Sequence, residues 1–154
     1  MLIALVKRQI DAALKEITNF GGVYTYSLIA VLFLAVKLYS VFYVLVLGLA
    51  LIYLVTILIR LVYKRARPKP EKYKTSIENT IMSYSFPSIH SARVAFIAFT
   101  ILGCFGTNLL SLVVALVAVI VVCSRIYLKK HYWSDVIAGV VLGLVLGWLL
   151  KLFI

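Results

Sequence analysis

The sequence predicts an all-α membrane protein: a polytopic bundle of about five spanning helices, preceded by an amphipathic helix, in one domain covering residues 1–154. Apolar residues make up 64% of the chain and the mean hydropathy is +1.10, whereas a soluble domain is apolar over about half of its residues. The apolar residues form runs long enough to cross a bilayer core of about 30 Å. Lysine and arginine residues cluster at the ends of these runs, where they anchor membrane helices.

The net charge of +11 at pH 7 indicates an acidic partner. Because the cations flank apolar segments and no nucleic-acid-binding motif is present, we expect lipid headgroups or a phosphorylated substrate rather than nucleic acid. Cys104 and Cys123 fall within apolar segments and predict free thiols rather than a disulfide. We therefore expect a multi-pass protein integral to the cell membrane.

Residues 1–20 predict an interfacial helix rather than a span. Between Leu2 and Ile17 the apolar residues recur at helical spacing, and the opposite face carries charge. The charged face consists of Lys7, Arg8, Asp11, Lys15 and Glu16. Such a helix lies on the membrane surface, and Gly21-Gly22 ends it.

Five apolar segments predict the spans. Residues 23–63 as one helix would be about 60 Å long, twice the bilayer core, so we expect a turn near residues 37–40. The predicted spans are residues 22–37, 40–63, 89–105, 109–127 and 134–153. The polar segment 64–87 holds all three prolines and predicts a loop. Five spans place this loop, the connection at 129–133 and the N-terminal helix on one side of the membrane.

The last span carries Gly139, Gly143 and Gly147 at four-residue spacing. They form a smooth face that permits close approach of another helix. We expect this face to pack against a helix of the same chain; the alternative is a homodimer seam.

Polar clusters fall at the loop ends of the spans. His131 and Asp135 are four residues apart, so they share a helix face, and the carboxylate can orient the imidazole and leave its other nitrogen free for chemistry. Ser88 and His90 stand at the start of a span, where backbone N–H groups and the positive helix end favour phosphate. Alone, each cluster is typical of a helix cap or an interfacial anchor. Together they predict phosphoryl chemistry at the membrane surface.

The order and spacing of these clusters resemble the type 2 phosphatidic acid phosphatase superfamily, which includes lipid phosphate phosphatases and vanadium haloperoxidases. The third motif of that family is Ser-Arg, five residues, His, three residues and Asp. Ser124-Arg125, His131 and Asp135 match it in full.

The first two motifs are matched with one change each. The first motif of the family is a lysine, six further residues and Arg-Pro; here Arg60 stands at the lysine position, and Arg67-Pro68 follows after six residues. The second motif is Pro-Ser-Gly-His, and Pro87-Ser88-Ile89-His90 stands in its place. Arg60 keeps the positive charge of the lysine, but its planar guanidinium donates hydrogen bonds in a fixed fork geometry, whereas a lysine ammonium is a compact point charge. Ile89 replaces glycine and requires a backbone without positive φ. Bacterial members of the family often have six spans rather than five.

The resemblance implies hydrolysis of a phosphomonoester or pyrophosphate without a metal or other cofactor. His131, oriented by Asp135, would be the nucleophile and form a phosphohistidine intermediate, and His90 would act as general acid and base. The residues implied to bind the substrate phosphate are Arg60, Arg67, Ser88, Ile89 and Arg125.

A polyisoprenyl phosphate or diphosphate is the favoured lipid substrate. Phosphatidic acid and phosphatidylglycerol phosphate are alternatives, and a lipid phosphotransferase is an alternative reaction. A non-enzymatic protein that binds anionic lipid through its basic loop is the alternative from another class. The motif spacing of the histidines and Asp135 favours an enzyme, since ionisable clusters at the membrane are functional by default.

Overall fold

The chain folds into a bundle of α-helices. A computed structural model describes residues 2–69 and 77–153, and every regular element within them is helical. The α-helices are α1 (Leu2–Ile17), α2 (Val23–Ala35), α3 (Tyr39–Val62), α4 (Ile77–Ser83), α5 (Ile89–Phe105), α6 (Leu109–Tyr127) and α7 (Trp133–Leu150). Short 3₁₀ turns follow α1 at Thr18–Gly21 and α7 at Lys151–Phe153. The predicted all-α membrane fold is confirmed.

Within the described residues, three helices are long and apolar enough to cross a membrane: α3, α6 and α7. The segments Leu5–Gly21 and Val23–Ala35, which are bent by 49°, make a fourth if they form one broken span. The expected number was about five, and two short helices account for the difference. With 13 and 17 residues, α2 and α5 are about 20 Å and 25 Å long, shorter than a bilayer core of about 30 Å.

Local signals set most helix boundaries where the sequence predicts them. Ser88 caps α5 by accepting a hydrogen bond from the Ser91 N–H, and Asn108 caps α6. Gly106, with φ of +69°, ends α5 in a conformation that favours glycine. The segment 64–87, predicted to be a loop, instead contains α4, and its residues 70–76 lie outside the described part of the chain.

The central helix of the bundle is α5, which packs most extensively against α7 and then against α6 and α3. The glycine face of α7 makes the closest approach: a Cβ at Gly139 or Gly143 would collide with a backbone carbonyl of α5, and one at Gly147 with a phenylalanine ring. On the other side, Gly48 of α3 leaves room for the ring of Phe96. A helix of the same chain therefore packs on the glycine face, and a homodimer seam there stays a prediction.

Candidate active site

Three polar segments meet at one end of the bundle. The backbone N–H of Lys69, after α3, donates to the Lys129 carbonyl between α6 and α7 at 3.1 Å. The Ser85 N–H, before α5, donates to the Arg65 carbonyl at 2.8 Å. The Ser88 N–H donates to the carbonyl of Asp135 at 2.9 Å. These bonds bring the three sequence motifs together, as their predicted placement on one side of the membrane requires.

A polar cavity of about 1060 Å³ opens at this end. Three of the predicted site residues line it: Arg67, His90 and Arg125. The other lining residues are Lys7, Asp11, Lys15, Thr18, Asn19, Lys69, Tyr127, Leu128, Lys129 and Lys130. The predicted residues Arg60, Ser88, Ile89, His131 and Asp135 are buried and are not among those that line the cavity.

The imidazole of His131 is held in one tautomer. Its Nδ1 lies 2.8 Å from the carbonyl oxygen of Ser85. Because a carbonyl only accepts hydrogen bonds, Nδ1 carries the proton and Nε2 carries the lone pair. Burial, together with the positive charges of Arg125 and Arg67, lowers the pKa of His131 below its ordinary value of 6.5, against an opposing effect of Asp135. The ring is therefore neutral at pH 7, with Nε2 as its nucleophilic atom.

Asp135 lies beside His131, as its spacing predicts, and it also caps the following helix. Its Oδ2 is 3.7 Å from His131 Nδ1, which is too long for a hydrogen bond. Oδ2 instead accepts the Tyr132 N–H at 2.9 Å, so the carboxylate caps the start of α7. The negative charge of Asp135 is close enough to His131 to oppose the lowering of its pKa, and the role of Asp135 in orienting the ring remains a prediction.

Arg65 is a residue of this site that the sequence reasoning missed. Its Nη1 donates to Asp135 Oδ1 at 2.8 Å and to Ser134 Oγ at 2.6 Å, and its guanidinium lies 4.1 Å from the centre of the Tyr132 ring. Arg65 therefore holds the carboxylate and the start of α7 at once. The sequence gives only a weak signal, the position of Arg65 two residues before the Arg67-Pro68 motif, and this does not distinguish it from the other cations of the loop.

Arg60 and Arg67 both bond to the segment that leads into α5. Arg60 is 1% exposed, and its Nη2 donates to the Pro87 carbonyl at 3.1 Å. Arg67 donates from Nη2 to the Met82 carbonyl at 2.9 Å and also lines the cavity. Arg60 thus fixes the backbone before α5 from outside the cavity lining, and Arg67 has access to the cavity. A contact between Arg60 and phosphate remains a prediction.

The residues of the Pro87–His90 motif have different positions: Ser88 caps α5, Ile89 packs in the core and His90 lines the cavity. The hydroxyl of Ser88 accepts the Ser91 hydroxyl at 2.9 Å and is fully buried. The side chain of Ile89 belongs to the hydrophobic core. His90 alone of the motif lines the cavity. A role of Ser88 or Ile89 in phosphate binding remains a prediction, and the structure accounts for Ser88 as a helix cap.

Arg125 connects the site to the N-terminal segment. Its Nη1 donates to Thr18 Oγ1 at 2.8 Å, and His90 packs against Gly21 of the same 3₁₀ turn, where a Cβ would lie 3.0 Å from the ring. Within the described residues, no three His, Cys, Asp or Glu side chains come together in a way that could hold a metal ion. Among the described residues, the ionisable groups that line the cavity are thus mostly cations, with one imidazole, the Tyr127 phenol and a single acid, Asp11, and this excess of positive charge suits an anionic substrate.

Comparison with known proteins gives a family and a fold. A family model described as the PAP2 superfamily matches residues 41–154. One similar solved structure is that of a Bacillus subtilis protein described as the first transmembrane PAP2-type phosphatidylglycerolphosphate phosphatase. The TM-score is 0.76 and the sequence identity is 24%, and the match covers 94% of this chain and 76% of that chain. No curated protein matches the chain. At that identity the structural similarity shows the fold.

Proposed function

Because the chain belongs to the PAP2 superfamily, we propose that this integral membrane protein is a lipid phosphatase that acts through a phosphohistidine intermediate. The observation that carries the proposal is the state of His131. Its Nδ1 is bonded to the Ser85 carbonyl, and burial keeps its pKa below the ordinary value. A buried imidazole with a free Nε2 lone pair beside a cationic cavity is suited to attack on a phosphate group.

The first step transfers the phosphoryl group to His131. Nε2 attacks phosphorus, a P–N bond forms, and the P–O bond to the leaving group breaks. His90, which lines the cavity, gives a proton to the departing oxygen. Burial and the positive charges of Arg125 and Arg93 hold the pKa of the free His90 imidazole well below its ordinary value, so His90 takes up this proton when the negatively charged phosphate enters and favours the imidazolium. His131 and His90 are close enough for their charges to interact, as a nucleophile and an acid on opposite sides of one phosphate must be.

The second step hydrolyses the phosphohistidine. His90, now neutral, takes a proton from a water molecule that attacks phosphorus, the P–N bond breaks, and inorganic phosphate leaves. Arg67 and Arg125 face the same cavity and stabilise the negative charge of both transition states through charge-assisted hydrogen bonds. Arg60 and Arg65 support the backbone around the two histidines.

A second cavity supports a lipid substrate. An apolar cavity of about 350 Å³ lies between α2, α5 and α6. It begins at Val94, one turn along α5 from His90, and Phe20 lines it while the neighbouring Thr18 and Asn19 line the polar cavity. The 3₁₀ turn thus borders both cavities. When the phosphate group of a lipid occupies the polar cavity, the apolar cavity is available to the hydrocarbon chain of the same lipid.

A polyisoprenyl phosphate or diphosphate is our first candidate substrate, on the grounds of the family resemblance. Phosphatidylglycerol phosphate is the second, because the similar Bacillus subtilis structure is described as a phosphatase of that lipid. Phosphatidic acid is the third. All three place a terminal phosphate at the end of a long apolar chain, which the pair of cavities accommodates.

The test is phosphate release by the full-length protein in detergent, with a chelator present, from the candidate lipids side by side. We expect release that is lost in His131→Ala. A folded wild-type protein that releases no phosphate from any of them would overturn the proposal, and would favour transfer to an acceptor or a non-catalytic protein that binds anionic lipid.

A further inference from the structure

We propose that α1 supplies a second anion-binding subsite to the cavity, in which Lys15 and Lys7 bind a second phosphate group of the lipid substrate. The inference rests on the proposed phosphatase function and narrows its substrate class. α1 covers Leu2–Ile17, outside residues 41–154 that match the family model. The motif residues therefore do not account for this part of the cavity.

The position of α1 follows from its register and from one hydrogen bond. Lys7, Asp11 and Lys15 are spaced by four residues, so they lie on one face of the helix, and all three line the polar cavity. The face extends for about 12 Å along the helix axis. Thr18, just after α1, accepts the hydrogen bond from Arg125 at 2.8 Å. Lys15 is therefore one turn from a residue tied to the phosphate site, and Lys7 is farther away.

The charge of the cavity exceeds what one phosphate balances. Its lining contains seven cationic side chains and one acid: Lys7, Lys15, Arg67, Lys69, Arg125, Lys129, Lys130 and Asp11. A phosphomonoester carries about two negative charges at most, which Arg67 and Arg125 already match. Asp11, the acid on the α1 face, interacts with the Tyr127 hydroxyl and carries a single negative charge, so the face that it shares with Lys7 and Lys15 keeps a net positive charge.

The cations also act on one another. The pKa of Lys130 is lowered by partial burial and by the positive charges of Arg67, Lys69 and Lys15. Repulsion among these cations raises the free energy of the empty cavity, and anionic groups that bind there reduce the repulsion. Lys15 therefore lies within electrostatic range of the loop cations across the cavity.

The substrate class that fits is a lipid with a terminal phosphate and a second phosphate next to it. A diphosphate has the two groups joined directly, and phosphatidylglycerol phosphate has them separated by glycerol. Phosphatidic acid and isoprenyl monophosphate have only the terminal phosphate. The second phosphate could otherwise come from anionic lipid around the protein, and the test separates these two sources.

The experiment compares matched pairs of substrates in zwitterionic detergent: isoprenyl diphosphate with isoprenyl monophosphate, and phosphatidylglycerol phosphate with phosphatidic acid. The variants are Lys15→Ala and Lys7→Ala. Arg8→Ala is the control, because Arg8 is an exposed cation of the same helix that does not line the cavity. All are full-length, and thermal unfolding shows that they are folded.

We expect Lys15→Ala to lower kcat/KM for the two-phosphate member of at least one pair about tenfold more than for its one-phosphate partner, the size of one charge-assisted hydrogen bond. Lys7→Ala should have a smaller effect of the same kind, and Arg8→Ala should leave the ratio unchanged. Equal losses on both members of each pair, or losses that appear only after phosphatidylglycerol is added to the micelles, would overturn the inference. Phosphate release that still depends on His131 in that case would leave the proposed function standing.

Discussion

Arg65→Met tests how the site is held together. The substitution removes the cation that bonds to Asp135 Oδ1 at 2.8 Å and Ser134 Oγ at 2.6 Å, and it keeps a side chain of similar length. The carboxylate of Asp135 is fully buried, and it would lose its arginine partner but keep the Tyr132 N–H and its interactions with Ser85 and His131. Because Asp135 caps α7 next to His131, the change should affect both stability and rate.

The magnitude follows from the burial of the pair. Removing one partner of a buried ion pair costs about 3–5 kcal/mol. The Arg65 side chain is 28% exposed and the Tyr132 bond remains, so we expect a loss of about 2–3 kcal/mol in the free energy of unfolding. A shift of about 1 Å at a reacting group costs roughly a hundredfold in rate, and we expect kcat to fall by roughly 10- to 100-fold with little change in KM, because Arg65 does not line the cavity.

The assay is thermal unfolding in detergent together with steady-state kinetics on one lipid phosphate. Lys64→Met is the matched control, since Lys64 is the neighbouring exposed cation, and Arg65→Lys should recover part of the rate. In an Asp135→Asn background the effect of Arg65→Met should shrink, because the two side chains are coupled. An unchanged melting temperature and an unchanged kcat in Arg65→Met would refute the positioning role.

Three further outcomes follow from the same structure. Burial and neighbouring cations lower the pKa of His131 below its ordinary value of 6.5, so the imidazole stays neutral and nucleophilic to a lower pH than a free histidine. As the pH is lowered, kcat/KM should therefore begin to fall only below pH 6.5, and a fall that begins above that value would contradict the assignment of the nucleophile. Ala118→Phe, which fills the apolar cavity, should lower kcat/KM for a long-chain lipid phosphate but not for a short-chain soluble ester, and equal effects on both would remove that cavity from substrate binding. Ile89→Gly restores the family residue but empties a core position, so thermal unfolding should show a loss of about 2–5 kcal/mol, and a fully stable variant would contradict this packing.

The bounds of most helices could be predicted because they depend on local signals. Caps at Ser88 and Asn108, the glycine at 106 and the lengths of the apolar runs are all readable in the sequence. α4 was missed because seven residues within a polar segment show no clear period. The lengths of α2 and α5 could be read, but whether such short helices span the membrane depends on the bundle.

The site was predicted in outline, and its bonds were not. Spacing places Asp135 near His131, but it cannot show that the carboxylate caps α7 or that the Ser85 carbonyl accepts a hydrogen bond from His131 Nδ1, since a backbone acceptor has no sequence signature. Sequence spacing could not show that Arg60 donates to the Pro87 carbonyl, and its expected contact with phosphate remains a prediction. The contribution of α1 to the cavity is a tertiary contact between segments far apart in the chain.

The most direct test of the central claim is a search for the phosphohistidine. The protein is mixed with a lipid radiolabelled in its terminal phosphate, quenched in alkali, where a P–N bond survives, and analysed by denaturing electrophoresis and peptide mapping. We expect label on His131 of the wild-type protein and none in His131→Ala. In His90→Ala the label should form more slowly, and after a chase with unlabelled lipid it should also be lost more slowly, because His90 serves both steps. Label that persists in folded His131→Ala, or that maps to another residue, would contradict the account.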